Sequence, residues 1–327
     1  MRKRFYFGTR LGRFGGTLSL ALLAALASGG CSKMVTEAQS TKTVAASATA
    51  ASSTGAPGIQ YVSTWGMKGD AAGHLDDPTS IAADALGNIF ISDAGSHFVH
   101  KFNPDGTPLL SFQDDWIKQP TEITVDRGGG IYTVDAARAA VSIFFPGGDR
   151  YRDFRLMTHP DSEDDLGVAV GDDGMIFVLD SNAGEVLAYT DHFRLARRWR
   201  PFASGRASAI AAGPDGYVYV LSADESRVAR FTHDGKASGE ISARPAGANR
   251  KLGSEFAVGD GYLFLMDGDG LTLHVVGVDG KPKLDADLSP QLGQVNRFIP
   301  PIAVSPKHEL FVLDAPASRV LRYHFNF

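Results

Sequence analysis

The chain has 327 residues, 43% hydrophobic and 21% charged, with 37 glycines, 20 phenylalanines and a single cysteine. That balance is too apolar for a disordered chain and too polar for a multispan membrane protein, and one cysteine excludes an intrachain disulfide framework or a structural zinc ribbon. The formal charge of −5 conceals an asymmetry: residues 1–30 hold five bases and no acid, leaving 27 bases against 37 acids, a net −10, in the remainder. A body that acidic has no general attraction for nucleic acid or anionic lipid.

At the front, Arg2, Lys3, Arg4, Arg10 and Arg13 make a basic segment, and Thr17 to Ala27 (TLSLALLAALA) make an apolar run. Eleven residues are too few to cross a bilayer, which needs about 20 in a helix; they fit the apolar region of a secretory signal. Small residues at Ala27, Ser28, Gly29 and Gly30 precede Cys31. This arrangement resembles a bacterial lipoprotein signal, in which the cysteine is lipidated and becomes the mature N-terminus. Cleavage after Ala27 is the alternative, leaving Cys31 a free thiol. From Ser32 to Pro57 the chain is rich in Ser, Thr and Ala, without aromatic residues or apolar period. It reads as a flexible tether, because it buries too little to offset its ordering entropy. The expected organisation is a signal over 1–30, an anchor cysteine and tether over 31–57, and a globular body over 58–327, exported and held at a membrane of the cell envelope.

From Ile59 onward one unit recurs six times. Its aromatic-centred strand carries Phe90, Tyr132, Phe177, Tyr219, Phe264 and Phe311. Two or three residues later come Asp93, Asp135, Asp180, Ser222, Asp267 and Asp314. A period in the low forties with several short strands per unit predicts propeller blades rather than helical solenoids. In the first unit the strands read as Ser80–Asp84, Ile89–Asp93, Phe98–Phe102 and Pro108–Phe112, the last two joined by Asn103-Pro104-Asp105-Gly106, whose Asp-Gly pair suits a tight hairpin. The last unit lacks a fourth strand, while Ile59–Trp65 precedes the first unit as an orphan. The expectation is an all-β, six-bladed β-propeller in which this N-terminal strand pairs with Arg319–Tyr323 and completes the last blade, removing an open sheet edge.

Tyr61-Val62-Ser63-Thr64-Trp65-Gly66, Pro78-Thr79-Ser80-Ile81-Ala82 and Asn88-Ile89-Phe90-Ile91-Ser92-Asp93 resemble the NHL-repeat propellers, over about 59–327. The resemblance implies a fold but no single chemistry, because this architecture hosts binding modules, lyases and esterases. It also implies that ligands meet the upper face, where the loop entering each innermost strand gathers with the turn between the second and third strands. Alignment puts Ser80, Glu122, Gly167, Ala209, Glu255 and Pro301 nearest the channel. Amidating lyases of this type carry zinc-binding histidines on such a ring, and none stands here. Lactonase-like relatives hold calcium with several acidic and amide residues; the two carboxylates here, on blades two and five, are too few for a shell of six to eight oxygens. No cofactor is therefore expected, with a divalent cation in the channel kept as the enzyme alternative. The nine histidines lack metal-ligand spacing, and no serine lies in a Gly-x-Ser-x-Gly setting. The recurring aspartates read as structural acceptors for loop N–H groups.

Loop charge divides the upper face. The first three blades contribute Asp70, Asp76, Asp77, Asp114, Asp115, Glu122, Asp161, Glu163, Asp164 and Asp165 against Lys68 and Lys118. The last three contribute Arg200, Arg206, Arg244, Arg250, Lys251 and Arg297 against Glu255. Such a dipolar rim suits a binding or scaffolding role toward a protein or envelope-polymer partner, with Ser80, Glu122, Asp164, Arg206, Arg244, Arg250, Lys251 and Glu255 as the contact residues. Arg194, Arg197, Arg198 and Arg200 fall mostly on a predicted outermost strand, where charge blocks unwanted sheet pairing; nucleic acid is not an expected partner.

Overall fold

A computed structural model describes residues 58–135, 138–158, 166–243, 251–293 and 298–327. The signal, Cys31 and the whole of the tether lie outside these residues. The described chain forms six four-stranded antiparallel sheets. Blade 1 is β2 (Pro78–Ala83), β3 (Ile89–Asp93), β4 (Phe98–Phe102) and β5 (Pro108–Phe112). Blade 2 is β6 (Pro120–Val125), β7 (Ile131–Asp135), β8 (Ala140–Phe144) and β9 (Arg150–Arg155). Blade 3 is β10 (Leu166–Val170), β11 (Ile176–Asp180), β12 (Glu185–Tyr189) and β13 (Leu195–Trp199). Blade 4 is β14 (Ala209–Ala212), β15 (Tyr217–Ser222), β16 (Arg227–Thr232) and β17 (Ala237–Ser242). Blade 5 is β18 (Leu252–Gly259), β19 (Tyr262–Asp267), β20 (Thr272–Gly277) and β21 (Pro282–Asp287). Blade 6 is β22 (Ile302–Ser305), β23 (Glu309–Asp314) and β24 (Arg319–Phe325), completed by β1 (Ile59–Trp65).

β1 runs antiparallel to β24 from Ile59 opposite Phe325 to Trp65 opposite Val320. The innermost strands touch in a closed circle, β2 to β6, β10, β14, β18, β22 and back to β2. The predicted six-sector ring, with its N-terminal strand in the last blade, is the observed fold. β3, β4 and β5 match their predicted bounds, and β2 starts two residues earlier than predicted.

Packing follows from the repeat. The six strand-centred aromatics sit directly across from Ala82, Thr124, Ala169, Ala211, Ala257 and Ala303 on the innermost strands. A small residue on the inner strand leaves room for the ring, and all but Tyr132 are fully buried. The apolar clusters lie between successive blades, each joining side chains of two neighbours, so burial itself locks one sector to the next. Trp65 fastens the seam: its ring lies 5.0 Å from that of Phe102, and its Nε1–H donates to the Pro104 carbonyl at 3.1 Å. Gly106, at φ +88°, lets the next blade's hairpin pass over that ring; a Cβ there would come within 2.6 Å of it.

Candidate functional site

Both channel glutamates stand where an inner strand departs from regular pairing. On β6, Pro120 faces Asp135 and Glu122 faces Val134, so two steps oppose one and Thr121 is the extra residue. On β18, Leu252 faces Asp267 and Phe256 faces Leu265, so four steps oppose two and the strand bulges through Gly253, Ser254 and Glu255. Bulges of this kind turn side chains out of the regular alternation and recur beside binding sites. Gly253 makes the larger one possible: a Cβ there would lie 2.7 Å from Ile299 Cγ2 and 3.1 Å from the Asp267 carbonyl oxygen.

Ser80, Glu122, Gly167, Ala209, Glu255 and Pro301 all line one cavity of about 440 Å³ in the channel, as their alignment predicts. Ser80 Oγ donates to Glu122 Oε2 at 3.0 Å across the blade 1–blade 2 boundary. Thr121, Ser181, Ser208 and Ser254 add hydroxyls to the lining, while the flanking positions are Ala, Val, Ile, Leu and Phe. Among the described lining residues, Glu122 and Glu255 are the only titratable groups. They keep some contact with the cavity solvent, yet protein surrounds both. Burial raises Glu122 to about 7, against the partial relief of the Ser80 hydrogen bond. Burial and the charge of Glu122 together raise Glu255 to about 8. The two carboxyls titrate as a pair and together hold about one proton near neutral pH. Glu255 makes no hydrogen bond or ion pair with any described residue.

The donor set does not fit a resident metal. Two carboxyls on opposite blades fall short of a calcium shell, and no group of three or more His, Cys, Asp or Glu among the described residues is placed to hold a metal ion. His100 is buried, with Nδ1 2.9 Å from Ser111 Oγ; desolvation lowers it to about 4. His274 sits against Asp285 at 2.7 Å and Asp267 at 3.5 Å, packed within its blade. His159 lies outside the described residues.

The recurring aspartates hold loops. Asp93 accepts backbone N–H groups of Asp76, Asp77 and Ser96 at 2.7, 3.1 and 2.9 Å. Asp135 does the same for Lys118, Gln119 and Arg138. Each carboxylate thus ties the loop entering its blade as well as the turn that follows it. Blade 4 has Ser222 in this place, and Asp224 substitutes: Ser222 Oγ donates to Asp224 Oδ1 at 2.7 Å, while the Arg206 backbone N–H reaches Asp224 Oδ2 at 3.3 Å. The Ser222 hydroxyl holds Asp224 below the ordinary carboxylate range.

The rim charges are only partly as the sequence suggests. Asp114 is not a free acid: it is ion-paired with Arg150 of β9. Arg200 pairs with Glu185 at 3.2 Å, as does Arg198 at 3.3 Å. Arg206 and Lys251 are exposed, with the Arg206 guanidinium 3.5 Å from Asn182 Oδ1. Asp164, Arg244, Arg250 and Arg297 lie outside the described residues. The mouth hydroxyls Thr121, Ser208 and Ser254 escape a search for single-copy chemistry, although their signal is visible in the alignment: each precedes the channel position of its blade, as Thr79 precedes Ser80. Thr79 Oγ1 donates to the Pro120 carbonyl of the next blade at 2.7 Å, so the first hydroxyl of this row also joins two sectors.

No family model and no curated protein matches the chain. Among solved structures, a streptogramin B lyase aligns with 82% of this chain and 98% of its own at 14% identity and a TM-score of 0.60. Virginiamycin B lyase from Staphylococcus aureus covers 82% and 99% at 14% identity, TM-score 0.59. A catalytically inactive form of the Staphylococcus aureus enzyme with quinupristin covers 82% and 99% at 13% identity, TM-score 0.57. At such identities the likeness establishes a shared six-bladed propeller fold.

Proposed function

We propose that the protein is an exported, membrane-tethered propeller that acts as a binding or scaffolding module through its upper face, with the channel mouth as the ligand pocket and the surrounding loops as the docking rim. The observation that carries this reading is the roughly 440 Å³ cavity with its polar mouth. Pockets of this size and mixed polarity suit small-molecule capture. The signal-like N-terminus, Cys31 and the tether support placement at the cell envelope, where Arg206 and Lys251 would meet a protein or polymer of acidic character.

The test is photo-crosslinking of the full-length protein in its native membranes, with the crosslinker placed beside Lys251. Arg206→Glu combined with Lys251→Glu should reduce the crosslinked product, as should added salt. Equal crosslinking by the charge-reversed protein would refute the docking rim. A second reading, a propeller enzyme of lyase or lactonase-like hydrolase type, is favoured by one observation: a carboxyl pair that exchanges its proton near neutral pH suits general acid–base chemistry. Metal analysis and a lactone and ester screen on the purified protein test it. Turnover that disappears in Glu255→Gln would establish catalysis, and no turnover would leave the binding module.

A further inference from the structure

We propose that the channel mouth is a receptor site for a small organic ammonium ion, its charged nitrogen held between Glu122 and Glu255. The inference rests on the reading of this cavity as a ligand pocket and names the ligand class it takes.

Three features point to a cation. The pair has no compensating base: no Lys, Arg or His is among the described residues that line the cavity. Glu255 is part-buried in the cavity wall and has no hydrogen-bond or ion-pair partner among the described residues. Its open side meets only the cavity, so a donor for it has to come from within. Finally, the chain distorts itself to keep this side chain there, through the β18 bulge and the close approach at Gly253.

Charge and shape then select among cations. A monocation can take the place of the proton that the pair holds near neutral pH and leave the net charge of the site unchanged. Two carboxyls and scattered hydroxyls also fall short of the oxygen shell that calcium requires. An ammonium group needs only a few acceptors, which the glutamates and the Ser80 and Ser254 hydroxyls supply. Below this ring come Ala82, Ala169, Ala211, Ala257 and Ala303, with Thr124 the one hydroxyl. The surface that these strands present to the cavity is nonetheless mostly polar, so the site selects its ligand by charge rather than by a hydrocarbon tail. Binding draws the pair fully into its ionised form, so the shared proton is released to solvent.

The experiment is titration calorimetry of the full-length protein in detergent with butylammonium chloride. Methylammonium, butanol, butyrate and calcium chloride serve as comparators, and each titration is run in two buffers of different ionisation enthalpy. The expected result is saturable one-to-one binding of butylammonium with proton release. Methylammonium should bind with comparable affinity, and neither butanol nor butyrate should bind. Glu255→Gln should weaken butylammonium at least about tenfold while leaving the protein as stable or more so, because it replaces a carboxyl whose ionisation is opposed by burial with a neutral side chain of the same size.

Absence of saturable ammonium binding would overturn the proposal, as would equal affinity in Glu255→Gln or calcium binding more tightly than butylammonium through the same pair. If ammonium binding fails while crosslinking remains sensitive to Arg206 and Lys251, the ligand class falls and the binding-module reading stands. If ammonium binds and that crosslinking does not depend on charge, the docking rim falls instead.

Discussion

The carboxyl pair makes the stability of the ring depend on pH in an unusual direction, and the dependence can be worked from the structure. In the unfolded chain both glutamates release their protons near 4.5, whereas in the channel they hold them to about 7 and about 8. Between those limits the folded state binds more protons than the unfolded one, so stability falls as pH rises. The contribution is fully present below about pH 4.5 and is lost by the time the medium passes about pH 8. Each tenfold of proton affinity gained on folding corresponds to about 1.4 kcal/mol. Cavity water screens the pair, and halving the full effect for it leaves roughly 4 kcal/mol. Over a body of this size that amounts to a decrease in Tm of about 8 °C between pH 5 and pH 9. The groups facing the pair from the other inner strands are Ser80 on β2, Gly167 on β10, Ala209 on β14 and Pro301 just before β22. None of them titrates to blur the effect. The assay is thermal unfolding of the wild type and of Glu122→Gln/Glu255→Gln across this range, the difference between the two curves isolating the pair from other carboxylates. Parallel curves would refute the argument that these side chains are desolvated and coupled.

Deleting 58–66 should lower Tm in a single cooperative step and cost at least the roughly 3 kcal/mol expected of Trp65→Ala; an unchanged melting curve would show that β1 does not close the ring. Gly253→Ala should cost about 1–3 kcal/mol because its Cβ meets Ile299 and the Asp267 carbonyl. It should also shift the alkaline loss of stability by moving Glu255, and an unaltered pH profile would detach the bulge from the site. Asp93→Ala strands three loop N–H groups and should cost roughly 3 kcal/mol or more by chemical denaturation. It should leave butylammonium affinity intact; a parallel loss of affinity would make this aspartate part of the site.

The strands were legible because each one repeats. The aromatic of β3 is found again in five later copies, and the small residue opposite it fixes the register once the period is known. The start of β2 was misread by two residues for the converse reason. Thr79 is an extra residue between two regular pairings, and a count along the chain does not register what lies across the ladder. The same blindness hides the β18 bulge, although the glutamate it presents is visible. Rim charge fails differently: Asp114 and Arg150 are 36 residues apart, one on a loop and one on the outer strand of the same blade, so only the folded blade brings them together. By its Ser222 alone, blade 4 reads as lacking the loop tie altogether. Asp224 restores it from two residues downstream, through a side-chain geometry that no alignment column contains.

These cases separate two kinds of information in the chain. Whatever recurs around the ring, such as the aromatic and its small partner in all six blades and the aspartate in five, serves to make a blade and cannot mark a site used once. Function has to reside where a copy departs from the others. At the channel position four blades carry Ser, Gly, Ala and Pro, and two carry Glu; Ser80 and Glu122 follow the same one-residue irregularity, whereas the wider bulge around Glu255 belongs to blade 5 alone among the described inner strands. A six-sector ring places blades two and five across the axis from each other, so substitutions 133 residues apart in sequence confront one another over a cavity. Burial in the channel wall is the main reason each carboxyl keeps its proton toward neutrality, and for Glu255 the charge of Glu122 across the cavity adds to that effect. The asymmetry that the repeat lacks is therefore supplied by two residues, and their placement depends on the closure made by β1 at the opposite end of the chain from β24.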